Sequence, residues 1–296
     1  MELRDIEIFL TLAEELHFGR TAERLHVSQA RISQAIGHQE RRLGALLFDR
    51  ANRRVVRLTP VGRQLRDDLR PVYADLRDSL ERARLAARGI TAVLRVGVLP
   101  HNGHDLRPHW DAFRSRHPQW NLRIQYAPFV DPFAGLRRGD VDVLVAWLPV
   151  EEADLTVGPV LFTEPRVIAV AGEHELAGRP SVSLDMISHF RFPSIASAPA
   201  YWIDSYLPPR TPQGRPIERG PLVRNNEQVL ALVSVGEIVT PYPRHMSRYG
   251  VRPDIAYLPI RDIDAIAYAL VWQSESENDL IRALARTIGD IGPLGF

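Results

Sequence analysis

The chain has 296 residues, of which 45% are hydrophobic and 25% charged; at about 150 residues per domain this is length for two domains, and the composition excludes a disordered chain or a fibrous repeat. Cysteine is absent, which removes disulfides, thiolate metal sites, thiol nucleophiles and thiol redox switches together. Net charge is +1, yet residues 17–66 hold eleven Arg against three acids while residues 91–296 hold twenty Arg against twenty-three acids. A compact basic front joined to a mildly acidic body is the footprint of a nucleic-acid reader attached to something else.

The first residues, Met1-Glu2-Leu3-Arg4-Asp5, carry acids where a secretory signal needs a basic patch and an apolar run. The apolar stretches 93–100 and 141–150 are interrupted by Arg95 and Asp142 and fall well short of the ~20 residues of a membrane span. The expectation is a cytoplasmic protein without a membrane partner.

Ile6, Phe9, Leu10, Ala13 and Leu16 recur at helical spacing and predict a helix from Leu3 to Leu16. A short second helix, about Arg20 to His26, turns Ala22 and Leu25 inward, and Ser28 suits the N-cap of a third helix running to about Leu43. On that third helix Ile32, Ile36, Gln39 and Leu43 share a narrow arc, Gln39 being a polar member. Ala30, Arg31, Gln34, Gly37 and Arg41 lie opposite, flanked by Gln29 and Ser33. Gln and Arg pair bidentately with adenine and guanine, so this outer face suits DNA. Two short strands follow around an Asn52-Arg53-Arg54 tip, a wing whose Arg53 and Arg54 can lie along phosphates or enter a minor groove.

The runs Arg20-Thr21-Ala22-Glu23-Arg24-Leu25-His26-Val27-Ser28-Gln29, Arg31-Ile32-Ser33-Gln34, Leu43-Gly44, Leu47-Phe48-Asp49-Arg50 and Leu58-Thr59-Pro60-Val61-Gly62 resemble the winged helix-turn-helix of LysR-type transcriptional regulators. The resemblance implies that the third helix reads the major groove through Gln29, Ala30, Arg31, Ser33 and Gln34, with wing contacts from Arg53. Two positions depart from the family pattern: Ala30 stands where many members have Pro, and Gln39 where they usually have Leu.

Thr59 and Pro60 form an N-cap and first-turn pair, after which Leu65, Leu69, Val72, Leu76, Leu80 and Ala83 step by fours and threes toward Gly89. Pro71 within this run should kink the long helix or remove one hydrogen bond. So thin an apolar stripe needs a cover, either from its own chain or, as the resemblance implies, from a second subunit in a homodimer or homotetramer.

Beyond Ala92 the pattern becomes α/β. Strands are predicted at 94–98, 122–126, 143–147, 157–161, 166–171, 238–240 and 267–272, with helices near 106–116, 133–138, 227–235 and 277–289. Leu94-Arg95-Val96-Gly97-Val98, His117-Pro118, Arg138-Gly139-Asp140-Val141-Asp142 and Val235-Gly236-Glu237-Ile238 with Pro241 look like the landmarks of the LysR-type effector domain, itself similar to type 2 periplasmic binding proteins. The expected fold is therefore multidomain: an all-α-dominated winged helix-turn-helix over residues 1–60, a linker and dimerisation helix over 61–90, and a two-lobed α/β domain over 91–296. Lobe I would take about 91–164 and 270–296, and lobe II about 165–269.

Ligands of two-lobed α/β proteins bind beyond the carboxyl ends of strands. That places candidates at Pro100, His101 and Asn102, at Phe129 and Val130, at Trp147, and at Tyr201, Trp202, Asn225 and Tyr242. The set is aromatic with little cationic character, which favours an aromatic or apolar organic effector over a polyanion. His101, His104, Asp105 and His109 invite a metal reading, but a helix opened by Asp105 would not bring His104 and His109 to one face, so no metal or other cofactor is expected. No phosphate-binding Gly-rich loop, Gly-x-Ser-x-Gly elbow or His-Glu-x-x-His helix is present, which argues against an enzyme. The leading expectation is a sequence-specific transcriptional regulator with double-stranded DNA, a small-molecule effector, its own second copy and RNA polymerase as partners. A ligand-free architectural protein is the alternative.

Overall fold

The computed structural model describes residues 2–49, 56–99 and 103–295, which fall into two compact units, Met1–Gly89 and Ile90–Phe296. The first holds α1 (Leu3–Glu15), α2 (Phe18–Leu25), α3 (Gln29–Leu43), an antiparallel pair β1 (Phe48–Asp49) and β2 (Arg57–Leu58), and α4 (Pro60–Ala86). Ile8, Phe9 and Leu12 of α1 meet Ile32 and Ile36 of α3 and Phe48 of β1 in one buried cluster. There the rings of Phe9 and Phe48 pack edge to face at 5.7 Å.

Local capping sets these boundaries. α2 starts earlier than the apolar spacing suggests because the His17 ring accepts a hydrogen bond from the Arg20 amide and caps the helix. Ser28 Oγ accepts from the Arg31 amide at 3.2 Å and opens α3 as expected. Leu43, expected inward, is 47% exposed. Gly44 ends α3 with φ at 69°, so the chain turns away there and Leu47 and Phe48 fill the core in its place.

Gln39 does point inward, and its Nε2 donates to the Asp5 carbonyl at 2.9 Å, tying α3 to the first turn of α1. The next residue, Glu40, is also buried, and its carboxylate accepts from the Leu47 amide at 2.9 Å and the Phe48 amide at 3.2 Å. It fixes the first strand of the hairpin to the end of α3, a role no sequence pattern announces. The tip between the strands, with Arg53 and Arg54, lies outside the described residues.

Thr59 Oγ1 accepts from the Gly62 amide at 3.0 Å and donates to the Leu46 carbonyl at 2.7 Å, and α4 then continues through Pro71 to Ala86. Its stripe is not uniform. Leu65 and Leu69 pack with Tyr73 on their own unit's core, so these two expected dimerisation residues are covered by their own chain. Val72, Leu76 and Leu80 are 61%, 41% and 46% exposed, and Ala83 is exposed as well.

The second unit has two lobes. In the first, β3 (Ala92–Val98), β4 (Trp120–Tyr126), β5 (Val143–Trp147), β6 (Leu155–Glu164) and β12 (Ile266–Gln273) form a sheet of order β4-β3-β5-β12-β6. β3 is parallel to β4 and β5, and β12 is antiparallel to β5 and β6. α5 (Arg107–Arg116), α6 (Ala134–Arg137) and α11 (Asp279–Ile291) belong to this lobe. In the second lobe β7 (Arg166–Ala171) lies between β10 (Thr240–Pro243) and β11 (Ile255–Pro259), antiparallel to both. Around them stand α7 (Leu184–Ile187), β8 (Phe192–Ser194), α8 (Ala200–Tyr206), β9 (Arg219–Leu222), α9 (Asn226–Ser234) and α10 (Met246–Tyr249). Alternation along β7 sends Ile168 and Val170 into one apolar cluster and Val167 and Ala169 into another, so the strand is apolar on both faces.

The chain passes between lobes twice, at Pro165 and across residues 260–265. The return therefore falls earlier than the expected residue 270: Ile266 already pairs with Glu164 and Tyr268 with Phe162 in the lobe I sheet. Trp202 also departs from the expected partition, because it sits in the apolar core of lobe I. No helix among the described residues is long and apolar enough to cross a membrane.

Candidate DNA-reading helix and interlobe cavity

Gln29, Ala30, Arg31, Ser33 and Gln34 are all exposed, on the first turns of α3. Backbone amides and the positive end of the helix dipole add to that surface's attraction for phosphate. Nearby cations are differently committed. Arg20 and Arg24 are held by Glu15, whose carboxyl is drawn below its ordinary range first by the Arg24 and then by the Arg20 hydrogen bond. Arg31, Arg41 and Arg42 have no ion pair among the described residues, so their guanidinium groups remain available to an external anion.

The second site is a narrow cavity between the lobes, about 60 Å³ in volume and open to solvent at its mouth. Of the expected contacts, Phe129, Trp147 and Tyr242 line it, joined by Leu99, Ile195, Tyr206, Asn226, His245 and Tyr268. The other candidates have different duties. Trp202 is fully buried and stacks on Trp147 at 3.5 Å, with its Nε1 donating to the Trp147 carbonyl at 3.1 Å. It is a support behind the wall. Tyr201 donates to Glu152 and accepts from the Glu151 amide, both at 3.0 Å, and burial pushes its hydroxyl up to about 12. Asn225 caps α9 by accepting from the Gln228 amide at 2.8 Å, and its neighbour Asn226 faces the cavity instead. Val130 is not part of the lining. Pro100, His101 and Asn102 lie outside the described residues.

A buried polar layer adjoins the cavity at the hinge. Glu164, Arg166 and His245 are 1%, 3% and 3% exposed. The Glu164 carboxylate receives the His245 amide at 2.8 Å and stands 2.5 Å from His245 Nδ1. Arg166 donates to the carbonyls of Ser205 and Tyr206 and lies 5.0 Å over the Tyr206 ring; burial draws its pKa down. Burial raises the hydroxyls of Tyr206, Tyr242 and Tyr268, which stay protonated donors. Sequence reasoning missed Glu164, Arg166, His245, Tyr206 and Tyr268. One signal was present: a Glu-Pro-Arg break, with opposite charges, between two apolar strands.

Elsewhere in this unit Asp105 receives Arg248 Nη2 at 2.9 Å and Tyr249 Oη at 2.6 Å, linking the residues ahead of α5 to α10 in the other lobe. Asp105 is thus committed to partners other than a metal. His109 is buried with Nε2 3.4 Å from the Leu161 carbonyl, and burial lowers its pKa. Among the described residues no cluster of His, Asp and Glu is arranged to hold a metal ion.

Fold and sites together define a DNA-binding transcriptional regulator with an effector-binding domain. Residues 3–63 match the bacterial regulatory helix-turn-helix protein model of the lysR family, and residues 87–291 match the LysR substrate binding domain. The chain belongs to the LysR family. It is 28% identical over 291 residues, 94% of each chain, to the uncharacterized HTH-type transcriptional regulator YnfL of Escherichia coli strain K12. To the DNA-binding transcriptional dual regulator OxyR of the same strain it is 31% identical over 185 residues, 62% of this chain and 60% of that one. Among solved structures, CbnR, a LysR family transcriptional regulator, shares the fold with a TM-score of 0.64 over 98% of this chain and 99% of that one, at 20% identity.

Proposed function

We propose that the outer face of α3 reads the major groove and that the interlobe cavity takes a small organic effector whose binding changes how paired subunits sit on their operator. One observation carries the sensing half: an aromatic-walled cavity is lined by residues of both lobes, Phe129, Trp147 and Tyr268 from the first and Tyr242 and His245 from the second. A ligand there touches both lobes, so its affinity differs between lobe arrangements, which is the only way binding can bias them. The described lining contains no Arg, Asp or Glu, which supports an aromatic or apolar effector over a polyanion. With no cysteine in the chain, no thiol serves as the sensor.

In this reading the winged helix-turn-helix grips double-stranded DNA through Gln29, Ala30, Arg31, Ser33, Gln34 and the wing arginines Arg53 and Arg54. A second copy covers Val72, Leu76, Leu80 and Ala83 of α4, giving a homodimer or homotetramer that works in the cytoplasm with RNA polymerase and needs no metal or other cofactor. A base-pairing contact contributes about 1–3 kcal/mol of discrimination. Arg31→Ala or Gln34→Ala should therefore weaken operator binding at least fivefold more than binding to scrambled DNA. An unchanged ratio in a competition gel shift rejects the α3 assignment. For the cavity, a thermal-shift screen of metabolites should yield a stabilising ligand whose effect Asn226→Ala abolishes and Val130→Ala does not; stabilisation indifferent to Asn226 would reject it.

A further inference from the structure

At about 60 Å³ the cavity falls well short of the roughly 300–1,000 Å³ of small-molecule sites, so an organic effector needs the lobes to part before it enters. Beyond the two chain crossings, the lobes are joined by two links of opposite character, and these decide where the room comes from.

The first link is α8, which is built into both lobes. At its start Trp202 is fully buried in the lobe I core, stacked on Trp147 and edge-on to Phe133 at 5.7 Å, and Tyr201 is tied to Glu152. At its end Arg166 donates to the carbonyls of Ser205 and Tyr206, Arg219 donates to the Leu207 carbonyl, and Leu207 is buried in an apolar cluster of lobe II. Arg166 directly follows the Pro165 crossing, so this end of α8 is held beside the hinge, where a rotation of the lobes displaces it least.

The second link is polar and shallow. Asp105 of lobe I receives Arg248 Nη2 at 2.9 Å and Tyr249 Oη at 2.6 Å from α10. α5 makes no use of this carboxylate, since Leu106 holds the N-cap position without a side-chain cap bond. Arg248 and Tyr249 are both exposed, so water takes the place of Asp105 at each when they separate, whereas water is no substitute for the ring contacts of Trp202. α10 is thus pinned at its start by the Glu164 bonds to His245 at the hinge and at its end by Asp105, and it carries Met246 of the cavity lining between the two.

Resting on the reading of this cavity as the effector site, we propose that Asp105, Arg248 and Tyr249 form a clasp whose opening admits the effector, while α8 stays in place as a third connection of the hinge. Release of Asp105 swings α10 and its Met246 wall away from lobe I. Residues that never touch the effector thereby set the fraction of molecules it can enter, and with it the apparent affinity.

The chain has no cysteine, so one introduced thiol reports on its own surroundings alone. Val229 of α9 lines the cavity, and Val233, one turn along the same helix, is buried but is not part of the lining. The test follows by mass the reaction of N-phenylmaleimide, a neutral flat reagent too bulky for the closed cavity, with the full-length Val229→Cys and Val233→Cys proteins. Adding Asp105→Ala should speed labelling of Val229→Cys by about fivefold and leave Val233→Cys unchanged. Tyr249→Phe, the milder clasp variant, should act in the same direction by less. Tyr201→Phe and Asp204→Asn, which loosen the two ends of α8, should leave both rates as they are. A Val229→Cys rate indifferent to Asp105→Ala and Tyr249→Phe, a greater acceleration from the α8 variants, or equal acceleration at Val229→Cys and Val233→Cys, the mark of α9 unfolding, overturns the clasp. These rates need no effector. A ligand that depends on Asn226, found alongside rates indifferent to Asp105, keeps the effector site and sinks the clasp, whereas clasp-dependent rates with no ligand in the metabolite screen sink the effector reading instead.

Discussion

Two glycines in the first unit offer opposite outcomes for the same substitution. A Cβ built on Gly62 meets the Leu47 carbonyl oxygen at 2.1 Å and Leu58 Cδ2 at 3.0 Å, so α4 must retreat by roughly 1 Å from the segment entering β1. That retreat loosens the Thr59 cap, the Thr59 Oγ1 bond to Leu46 and the Thr59 amide bond to Leu47. Overpacking plus loss of a cap gives an expected destabilisation for Gly62→Ala of about 2–4 kcal/mol, or a midpoint about 10 °C or more lower for a unit of this size. Gly37, inside α3, has nothing within 4 Å of its Cβ position. Gly37→Ala should therefore stabilise by about 0.5–1 kcal/mol through helix propensity alone. The tryptophans, at 110, 120, 147, 202 and 272, all lie in the second unit, so their fluorescence follows that unit. Amide exchange over residues 3–49 follows the first. The expected result is faster exchange for Gly62→Ala, slower exchange for Gly37→Ala, and an unchanged fluorescence midpoint for both. Equal effects of the two substitutions on exchange would refute the close approach of α4 to Leu47.

Gln39→Leu removes a buried amide whose Oε1 has no partner among the described residues; stability by urea titration should stay within about 1 kcal/mol of the parent or rise. Replacing both Leu76 and Leu80 with Glu places charges on the exposed part of the α4 stripe, and analytical ultracentrifugation should show the assembly dissociating while the fluorescence midpoint holds. Asp105→Asn weakens the link to Arg248 and Tyr249; with Arg248 half exposed the loss is about 1 kcal/mol, read as a several-fold change in effector affinity, and no change would exclude this link from lobe closure. Burial lowers the His109 pKa, so below the unfolded value near 6.5 the unfolded chain binds more protons. Stability of the second unit is then fully present above that pH and falls as pH drops through the window, by at most about 1.4 kcal/mol per pH unit. His109→Asn should flatten that slope in urea midpoints followed by tryptophan fluorescence between pH 7.5 and 5.5.

Much of the fold was legible because its signals are local. The apolar spacing of Ile6, Phe9 and Ala13, the Ser28 cap and the Thr59-Pro60 pair each set an element by contacts within a few residues. β5 and β7 fell where expected because short apolar runs between turn residues suit strands covered on both faces. What escaped was either short or depended on distant neighbours. β8, α8, β9 and β11 span three to seven residues, several with proline, too short for a period to emerge. The split of the α4 stripe, with Leu65 and Leu69 covered and Leu76 exposed, follows from how far the core of the first unit reaches along the helix, which spacing alone cannot give.

The cavity shows where a rule about loops stops being informative. Looking after the carboxyl ends of strands found Phe129 and Trp147, which stand at the mouths of the lobe I strands, and Tyr242 on β10. It could not find the hinge side, because Glu164, Arg166 and Tyr268 belong to strands that run through the crossing, and His245 follows a strand whose pairing is set by β7 some eighty residues earlier. In sequence Trp202 reads as a ligand contact, because an aromatic after a turn looks the same whether it lines a wall or braces it. The distinction is three-dimensional: its ring is spent on Trp147 and its indole N–H on a backbone carbonyl, leaving nothing for a ligand. His245 is the converse case, since Glu164 occupies one ring nitrogen and thereby leaves the other for the cavity. A candidate side chain is therefore judged by which of its polar atoms its neighbours leave unused, and that is decided by partners far away in the sequence.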